Sequence, residues 1–336
     1  MRRVRWSLGV LVGLALAASL LTCATQMPGT SHQGPLPPAT RHEQGLAREL
    51  EGHVRVLAHE IGERRVGGRY EALQRAAEHI AKALEGPGHR VARQTYRVDG
   101  RDVQNLEVEL RGVHHPEQIV VVGAHYDSAA GTPGANDNGS GVAGLLALGR
   151  IFAGARTGRT LRLVAFVNEE PPHFQTEQMG SLVYARRCAA RKEKITAMLA
   201  LETMGYFSDE KGSQRYPFPF SLTYPDTGNF IAVVGNLGSR SLVREVVGTF
   251  REEARFPCEG AAVPGFITGV GWSDHWSFWQ AGYPGVMITD TAPFRFPHYH
   301  TAQDRAETID FPRLARVVEG LAQVVGKLVG GVELPR

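Results

Sequence analysis

Several apolar stretches of this chain, each long enough for one buried β-strand, end directly in acidic residues or histidine. The polar residues that follow them are His125, Glu169, Glu170 and Glu202. Nearly continuous apolar runs are typical of strands that are buried on both faces of a parallel sheet. Because the carboxyl ends of parallel strands meet at one edge, where ligands bind, we expect these side chains to converge. The pattern predicts an α/β fold with a cluster of carboxylates and imidazoles at one edge of its sheet.

The first of these strands ends in His125 and Asp127, which are two residues apart and therefore point to the same side. The Asp127 carboxylate could hold one imidazole nitrogen and fix the tautomer that presents the other nitrogen to a metal. The alternative is a strand that simply ends in polar turn residues. We treat His125 as a candidate metal ligand and Asp127 as its orienting partner.

Asp137 lies in a glycine-rich loop, residues 134–144, just before a stretch that is predicted to form a buried helix. Such a loop lets a carboxylate approach two cations closely, and a helix start tolerates negative charge. The alternative role is a helix N-cap, for which Asn136, Asn138 and Ser140 are equally suited. The glycine spacing also resembles a dinucleotide-binding fingerprint. A long polar loop separates it from the preceding strand, which argues against that function.

Glu169 and Glu170 are adjacent, so on an extended chain their side chains point in opposite directions. One is expected to bind a metal while the other stays free as a general base. The alternative is a pair of ordinary surface acids. Glu202 is either a further ligand or an acid at a strand end. Late in the chain, His298 and His300 compete for one more ligand role.

Taken in order, these motifs resemble those of the zinc-dependent M28 peptidases, a family of aminopeptidases related to glutamate carboxypeptidase and glutaminyl cyclase. The motifs are His125-x-Asp127, residues 134–141, Glu169-Glu170, Glu202 before a Met-Gly pair, and His300-Thr-x-x-Asp304. The match covers the chain from about residue 41 onward, and several motifs in the family's order are more specific than any one alone. The resemblance implies an α/β peptidase fold and two Zn²⁺ ions per chain.

The resemblance also implies which residues bind the two ions. One ion would be held by His125, Asp137 and Glu170, and the second by Asp137, Glu202 and His300. Asp137 would therefore bridge both ions, and each ion would keep an open position, as catalytic zinc requires. The expected chemistry is hydrolysis of an amide bond in a peptide substrate.

Two further roles come from the same resemblance. Glu169 matches the catalytic base, and Asp127 matches the residue that orients His125. His300 is the expected ligand rather than His298, because the family's ligand directly precedes a threonine. As the catalytic base, Glu169 would take a proton from water and pass it to the leaving amine.

The chain departs from the common family pattern in two places. Position 202 is Glu where Asp is more usual, and the longer side chain is expected to shift the second metal or change its affinity. The loop after Glu170, through Gln178, is longer than in many relatives. We expect it to reshape the substrate pocket.

Three other functions compete with zinc-dependent exopeptidase action as explanations of this sequence. A glutaminyl cyclase, an acyltransferase with one zinc, is disfavoured because residues 136–141 resemble the peptidase version of that loop. A non-catalytic receptor-like domain is disfavoured by the intact ligand set. A serine nucleophile has little support, since Ser273, Asp274 and His275 are consecutive and cannot form a triad. Asp274 is instead expected to cap a short helix.

The N-terminal residues 1–23 have the features of an export signal: a basic start, an apolar run over residues 8–21 and a terminal Cys23. They resemble a bacterial lipoprotein signal whose Cys23 carries lipid, although Thr22 stands where Gly, Ala or Ser is usual. Simple cleavage and an uncleaved anchor are the alternatives. All three place the domain outside the cytoplasm, as a periplasmic, outer-membrane-tethered or secreted protein. Membrane contact is expected only through this lipid or anchor.

Residues 24–40 are rich in Pro, Gly, Ser and Thr and are predicted to form a flexible linker, and residues 41–336 a single peptidase domain. Apolar periodicity predicts helices at Tyr70 to Leu84, Val142 to Phe152, Leu242 to Glu253 and Leu314 to Val329. Their alternation with strands predicts a three-layer α/β/α architecture around a largely parallel, mixed central sheet.

Charge and cysteine content restrict the partners. The net charge of +3 equals the charge of the arginines at positions 2, 3 and 5, so the rest of the chain is nearly neutral. A nearly neutral domain lacks the electrostatic basis for nucleic-acid binding. Cys188 and Cys258 could pair in an oxidising compartment. The sequence indicates no particular oligomeric state.

Overall fold

The structure is built around a mixed sheet of eight strands, and the computed structural model describes residues 24–333. The strands are β1 (Val91–Val98), β2 (Arg101–Leu110), β3 (His115–His125), β4 (Arg156–Thr157), β5 (Arg159–Phe166), β6 (Lys194–Glu202), β7 (Ile231–Gly235), β8 (Cys258–Ala262), β9 (Gly285–Thr289) and β10 (Val332–Glu333). The central sheet has the order β1-β2-β5-β3-β6-β9-β7-β8, and β4 pairs separately with β10. Strands β5, β3, β6 and β9 run parallel to their neighbours in this group. Antiparallel pairs join β1 to β2, β2 to β5 and β7 to β9.

Helices cover both faces of this sheet. They are α1 (Arg41–Arg55), α2 (Tyr70–Glu85), α3 (Gly141–Ile151), α4 (Gly180–Ala190), α5 (Arg240–Glu253), α6 (His275–Gln280), α7 (Ala292–Arg295) and α8 (Phe311–Leu328). Alternate residues of β3 enter two different cores, because successive side chains of a strand point to opposite faces. Val120 and Val122 belong to the larger core, whereas Val121 packs in the smaller core with Tyr184 and Phe278. The predicted three-layer α/β/α architecture is confirmed.

The helices that were predicted from apolar periodicity form, with ends shifted by a few residues. The observed helices are α2, α3, α5 and α8. Helix α8 begins earlier than predicted because the Asp310 side chain accepts a hydrogen bond from the Arg313 amide and Pro312 fits the first turn. These helices pack through the apolar faces that the sequence indicated.

The segment 24–40, which was predicted to form a flexible linker, packs along the domain. The amide of Cys258 donates a hydrogen bond to the Ser31 hydroxyl, and Ser31 is buried. The Arg316 guanidinium donates to the carbonyl of Pro37. A segment of polar and proline-rich composition can thus be ordered by backbone hydrogen bonds to the domain, which composition alone does not reveal.

The predicted export signal, residues 1–23, lies outside the described residues. Within residues 24–333, no helix has both the length and the apolar character needed to cross a membrane. Cys188 and Cys258 are both buried and both free, so the pairing that an oxidising compartment would allow is not formed.

Candidate metal centre and active site

Strand pairing brings His125 and Glu202 together at the edge of the sheet. Gly123 of β3 is paired with Ala200 of β6, and two residues further along each parallel strand lie His125 and Glu202. The imidazole Nε2 of His125 is 3.2 Å from Oε2 of Glu202. Both side chains are buried. Two residues that are 77 positions apart in the sequence thus contact each other in the fold.

The loop that carries Asp137 is fixed by its asparagines and by Asp304. The backbone amides of Asn136 and Asp137 donate to the two carboxylate oxygens of Asp304, at 2.7 and 3.0 Å. The side-chain oxygen of Asn138 accepts from the Gly141 amide at the start of α3. Asn138 therefore serves the helix start, and the Asp137 carboxylate is left free to face the two histidines.

Asp137 lies between the two imidazoles. Its Oδ1 is 3.3 Å from Nε2 of His125, and its Oδ2 is 2.9 Å from Nε2 of His300. Although burial opposes ionisation, the contacts with the two histidines hold the pKa of Asp137 well below its usual range. One oxygen toward each imidazole is the arrangement that a carboxylate bridging two cations needs.

The other two carboxylates are divided between the histidines in the opposite way from the sequence-based grouping. Glu202 lies beside His125, while Oε2 of Glu170 is 3.3 Å from Nε2 of His300. The two groups of possible metal ligands are therefore His125, Asp137, Glu202 and Asp137, Glu170, His300. The physical reason is register: His125 and Glu202 each lie two residues beyond the paired Gly123 and Ala200, whereas on β5 His125 is paired with Phe166, four residues before Glu170.

Asp127 contacts both the histidine and the glutamate pair. Its Oδ1 is 3.5 Å from Nδ1 of His125, the nitrogen that faces away from Asp137. Its two carboxylate oxygens accept hydrogen bonds from the amides of Glu169 and Glu170, at 3.1 and 3.0 Å. Asp127 therefore fixes the position of the Glu169-Glu170 turn as well as the orientation of His125.

Glu169 is buried at the same site but belongs to neither ligand group. Its Oε2 is 3.9 Å from Nε2 of His125. Burial and the negative charges of Glu202 and Glu170 raise the pKa of Glu169 well above its usual value, although the charge of His125 opposes this shift. A carboxyl group with a raised pKa that faces a metal centre is suited to carry a proton.

His300 rather than His298 meets the carboxylates. The ring of Tyr299 stacks on His300 with centroids 3.9 Å apart, while the ring of His298 packs edge-on against Phe296. Contacts with Asp137 and Glu170 outweigh burial and raise the pKa of His300 to about 10. His298 takes part in neither ligand group within the described chain.

The residues of both groups fit divalent metal ions. Both ring nitrogens of His125, Oδ1 of Asp137 and Oε1 of Glu170 are buried without a hydrogen-bond partner among residues 24–333. Unpaired buried polar atoms are costly unless a cation or water satisfies them. Nitrogen and carboxylate donors in groups of three suit Zn²⁺ with one position left open.

Arg64 was not recognised from the sequence as part of the site. It is fully buried, and its guanidinium donates to the carbonyls of Tyr126, Pro133 and Gly134, at 2.6, 2.6 and 2.8 Å. Burial lowers the pKa of Arg64 to about 10, and it stays charged at neutral pH. Arg64 thereby connects the end of β3 to the loop that carries Asp137. In the sequence, only the position of Arg64 before a glycine-rich turn could have suggested this contact.

Comparison with known proteins identifies the family. The model of peptidase family M28 matches residues 105–325. The uncharacterized protein YfbL of Escherichia coli is 37% identical over 295 residues, which cover 85% of this chain and 89% of YfbL. The chain belongs to peptidase family M28. It is accordingly a zinc metallopeptidase, a hydrolase that acts on peptides.

Other relatives of this M28 peptidase are more distant. Aminopeptidase YwaD of Bacillus subtilis is 28% identical over 230 residues, which cover 67% of this chain but 44% of YwaD. Among solved structures, the zinc aminopeptidase BSAP of Bacillus subtilis has a TM-score of 0.66 at 18% identity, with 90% of this chain and 97% of BSAP covered. Porphyromonas gingivalis glutaminyl cyclase has a TM-score of 0.63 at 21% identity, with coverage of 84% and 98%. At these identities the two structures show a common fold.

The segment Ser273-Asp274-His275 of the M28 peptidase does not form a nucleophilic triad. The Ser273 hydroxyl donates a hydrogen bond to Oε2 of Glu202 at 2.8 Å. Burial lowers the pKa of His275 to about 4, and its Nε2 contacts the carbonyl of Val270. Asp274 precedes helix α6 as predicted, but its side chain makes no capping hydrogen bond and is buried near the metal centre instead.

An apolar pocket with a volume of about 110 Å³ opens beside the metal centre of the M28 peptidase. Glu202 and Tyr299 form the side toward the centre. The remaining wall is mostly aliphatic and aromatic and includes Tyr216, Phe220, Tyr224, Phe230, Val263, Ile267, Met287 and Phe294. The segment between β6 and β7 supplies several of these side chains, and the sequence had not indicated its role.

Proposed function

We propose that this M28 peptidase is an aminopeptidase that uses two zinc ions and Glu169 as general base. The observation that carries the proposal is the position of Asp137, whose two carboxylate oxygens each face one imidazole. Two groups of three donors that share one carboxylate fit a pair of cations better than a single cation. The relatives YwaD, an aminopeptidase, and BSAP, a zinc aminopeptidase, support the same assignment.

In this proposal one Zn²⁺ is held by His125, Asp137 and Glu202, and the other by Asp137, Glu170 and His300. When bound, the two cations would lower the pKa of water and polarise the scissile carbonyl group of the substrate. Asp127 keeps the imidazole of His125 oriented through its 3.5 Å contact with Nδ1.

Glu169 carries the proton in this proposal. Its carboxylate lies outside both ligand groups, so it is available to take a proton from water and return it to the leaving amine. The amide of Glu169 is held by Asp127, which limits the movement of the side chain that it carries. Glu169 and Glu170 therefore divide proton transfer and metal binding between two adjacent positions.

The charges around the centre favour a substrate with a free amino group at its end. Glu169 is the one of the three buried glutamates whose charge no metal ion would neutralise, and its carboxylate would attract the α-ammonium group of a peptide. No lysine or arginine is among the described residues that line the adjoining pocket, so a C-terminal carboxylate would have no cation there. These observations support aminopeptidase rather than carboxypeptidase action.

The same pocket indicates the first side chain of the substrate. Its wall is apolar apart from a few groups such as Gln214, Thr291 and Glu259, and Glu259 is already paired with Arg251 at 3.0 Å. Burial of a large apolar side chain contributes about 1.5–3 kcal/mol to binding. We therefore expect preference for leucine, methionine or phenylalanine at the N-terminus over aspartate or glycine.

The test is a panel of aminoacyl anilides and peptides with free or acetylated N-termini, assayed with wild-type enzyme and two variants. Glu169→Gln should lose about 10²- to 10⁴-fold in kcat while its zinc content is unchanged. Glu177→Gln, in the exposed part of the following loop, is the matched control and should retain full activity. A zinc-loaded Glu169→Gln enzyme with wild-type activity, or equal cleavage of acetylated peptides, would contradict the proposal.

Glutaminyl cyclase action is the second candidate, because structures of such enzymes share this fold. It requires one zinc, whereas His125 here completes a second ligand group with Asp137 and Glu202. The distinguishing assay supplies a peptide with N-terminal glutamine and measures ammonia release against release of free glutamine. Free glutamine is the expected product, and ammonia with a pyroglutamyl peptide is the result that would favour the cyclase.

We propose further that the enzyme is exported and held at a membrane by its N-terminal segment. The basic start, the apolar run over residues 8–21 and Cys23 support this assignment. Mass spectrometry of the mature protein from a bacterial host tests it. A lipid-modified N-terminal Cys23 is the expected result, and an unmodified intact N-terminus in the soluble cytoplasmic fraction would contradict export.

A further inference from the structure

Four large apolar side chains are exposed to solvent around the mouth of the apolar pocket. Phe218, Leu222, Phe266 and Trp272 are 84%, 73%, 89% and 44% exposed, and we refer to them as the apolar rim. Each of them lies within two residues of a pocket-lining residue, and Trp272 lines the pocket itself. Contiguous exposed apolar groups of this kind mark contact sites for proteins or membranes.

The two chain segments that carry the apolar rim contain no charged residue. These segments are residues 216–225 and 260–272, in a chain whose overall content of charged residues is 21%. Proteins in water usually place charged side chains on exposed loops. The absence of charge over both segments therefore favours a contact with an apolar or interfacial environment.

The N-terminal segment is fixed beside the apolar rim. Ala24 packs against the small cluster of Phe220, Val263 and Val270, which also line the apolar pocket. The Arg244 guanidinium holds the next turn of the chain through the carbonyl of Gln26, at 2.7 Å. Position 24 is therefore held at the edge of the domain from which the apolar rim projects.

The apolar run over residues 8–21 joins the domain at this place. Two residues, Thr22 and Cys23, lie between Leu21 and Ala24, and three residue steps span at most about 10 Å. Anything that anchors Cys23 or the apolar run in a membrane would consequently bring the lipid surface close to the apolar rim.

We propose that the apolar rim inserts into the surface of a phospholipid bilayer next to the N-terminal anchor. Aromatic side chains are favoured at the boundary between lipid and water, and a single anchor is strengthened by a second apolar contact. Because the rim carries no charge, its insertion is not weakened by salt. The inference rests on the proposed membrane anchor and is independent of the proposed catalytic role of Glu169.

The test places a tryptophan at the rim of the full-length chain reconstituted in phosphatidylcholine vesicles. Phe218→Trp and Phe266→Trp are each compared with Val113→Trp, an exposed position that precedes β3 at the opposite edge of the sheet. Brominated phospholipid quenches tryptophan only where the ring contacts the bilayer. The fluorescence added by each rim variant should fall at least about twofold more than that added by Val113→Trp, at low and at high salt.

Other outcomes would overturn the proposal. Equal quenching at positions 218, 266 and 113 would show that the rim does not meet lipid, even if the chain remains bound through its anchor. Failure of the chain to associate with the vesicles at all would also show that the rim does not meet lipid. The double variant Phe218→Ser/Phe266→Ser should leave kcat and KM for a soluble dipeptide within about twofold of wild type. A KM raised tenfold or more, without lipid quenching, would assign the rim to substrate binding instead.

Discussion

The hydroxyl of Ser273 donates a hydrogen bond to Oε2 of Glu202, with the two oxygens 2.8 Å apart. The same Oε2 is 3.2 Å from Nε2 of His125. Glutamate has one more rotatable bond than the aspartate that is common at this position in the family. Ser273 therefore restricts the longer side chain of Glu202 to the conformation that meets His125.

Removal of this hydroxyl should weaken one of the two proposed metal sites. We expect Ser273→Ala to lower the affinity for the metal at the site formed by His125, Asp137 and Glu202 by about 10- to 100-fold, because the orientation of a ligand contributes to binding. Competition with a chelator of known affinity measures this, and the absorption spectrum of the Co²⁺-substituted enzyme reports the change in ligand geometry.

The control for Ser273 is Ser277, which is also buried but hydrogen-bonds to Ser181 rather than to a ligand. Ser277→Ala should leave the Co²⁺ spectrum unchanged, and Ser273→Thr should restore most of the lost affinity. Equal effects of Ser273→Ala and Ser277→Ala would assign Ser273 a general packing role.

Arg64 should contribute more to stability than any exposed arginine. Its replacement by Met leaves the carbonyls of Tyr126, Pro133 and Gly134 without their buried donor, which should cost at least about 3 kcal/mol. Arg65→Met, which removes a partly exposed pair with Glu63, should cost less than about 1 kcal/mol. Urea unfolding of the metal-free proteins measures both values. Similar losses for the two variants would contradict the role given to Arg64.

Metal affinity should depend on pH because protons compete for the same atoms. In the metal-free protein, burial and the charge of Asp137 raise the pKa of Glu170 to about 7, and that of His300 is raised to about 10. Both groups must lose their protons to bind a metal. The logarithm of the metal affinity of the site formed by Asp137, Glu170 and His300 should therefore rise by about two per pH unit below pH 7. Between pH 7 and 9 it should rise by about one per pH unit.

Zinc titration against a chelator at several pH values checks this dependence. His300→Ala should weaken this site and remove the dependence between pH 7 and 9, because Glu170 is then the one group of the pair that still titrates. An affinity that does not change between pH 6 and 8 would contradict the protonation states inferred for Glu170 and His300.

The close approach of β3 to the smaller core should make Gly123 intolerant of substitution. A Cβ at Gly123 would lie 2.2 Å from Cε2 of Phe166, so Gly123→Ala should destabilise the fold by about 3 kcal/mol or more. Gly52→Ala, in the exposed part of α1 with no atom near its added Cβ, should instead stabilise by about 0.5–1 kcal/mol. Thermal unfolding distinguishes these opposite signs, and the added variant Phe166→Leu should recover part of the loss at Gly123.

Much of the fold and the location of the site could be predicted because apolar strands end in polar groups. The runs before His125, Glu170 and Glu202 became β3, β5 and β6, whose carboxyl ends meet at one edge. The spacing and the number of apolar residues identify a buried strand from its local sequence. The convergence of the candidate residues then follows from parallel pairing.

The pairing within the site could not be predicted in this way. Strand β3 lies between β5 and β6, so whether His125 faces Glu202 or Glu170 depends on the register of these strands and on the turn after β5, which tertiary packing sets. Ser273 was missed as a partner of Glu202 because 71 residues separate them and the local sequence around Ser273 does not indicate which distant residue it contacts. Backbone contacts of residues 24–40 were missed for a similar reason, since composition indicates polarity but not a docking surface.

The most direct test of the two-metal centre is the zinc content of purified wild-type protein and three ligand variants, measured by mass spectrometry of the metal. The shared position of Asp137 predicts two zinc ions per wild-type chain, one in His125→Ala, one in His300→Ala and about none in Asp137→Asn. A single zinc ion in the wild type that persists in His125→Ala would contradict the account.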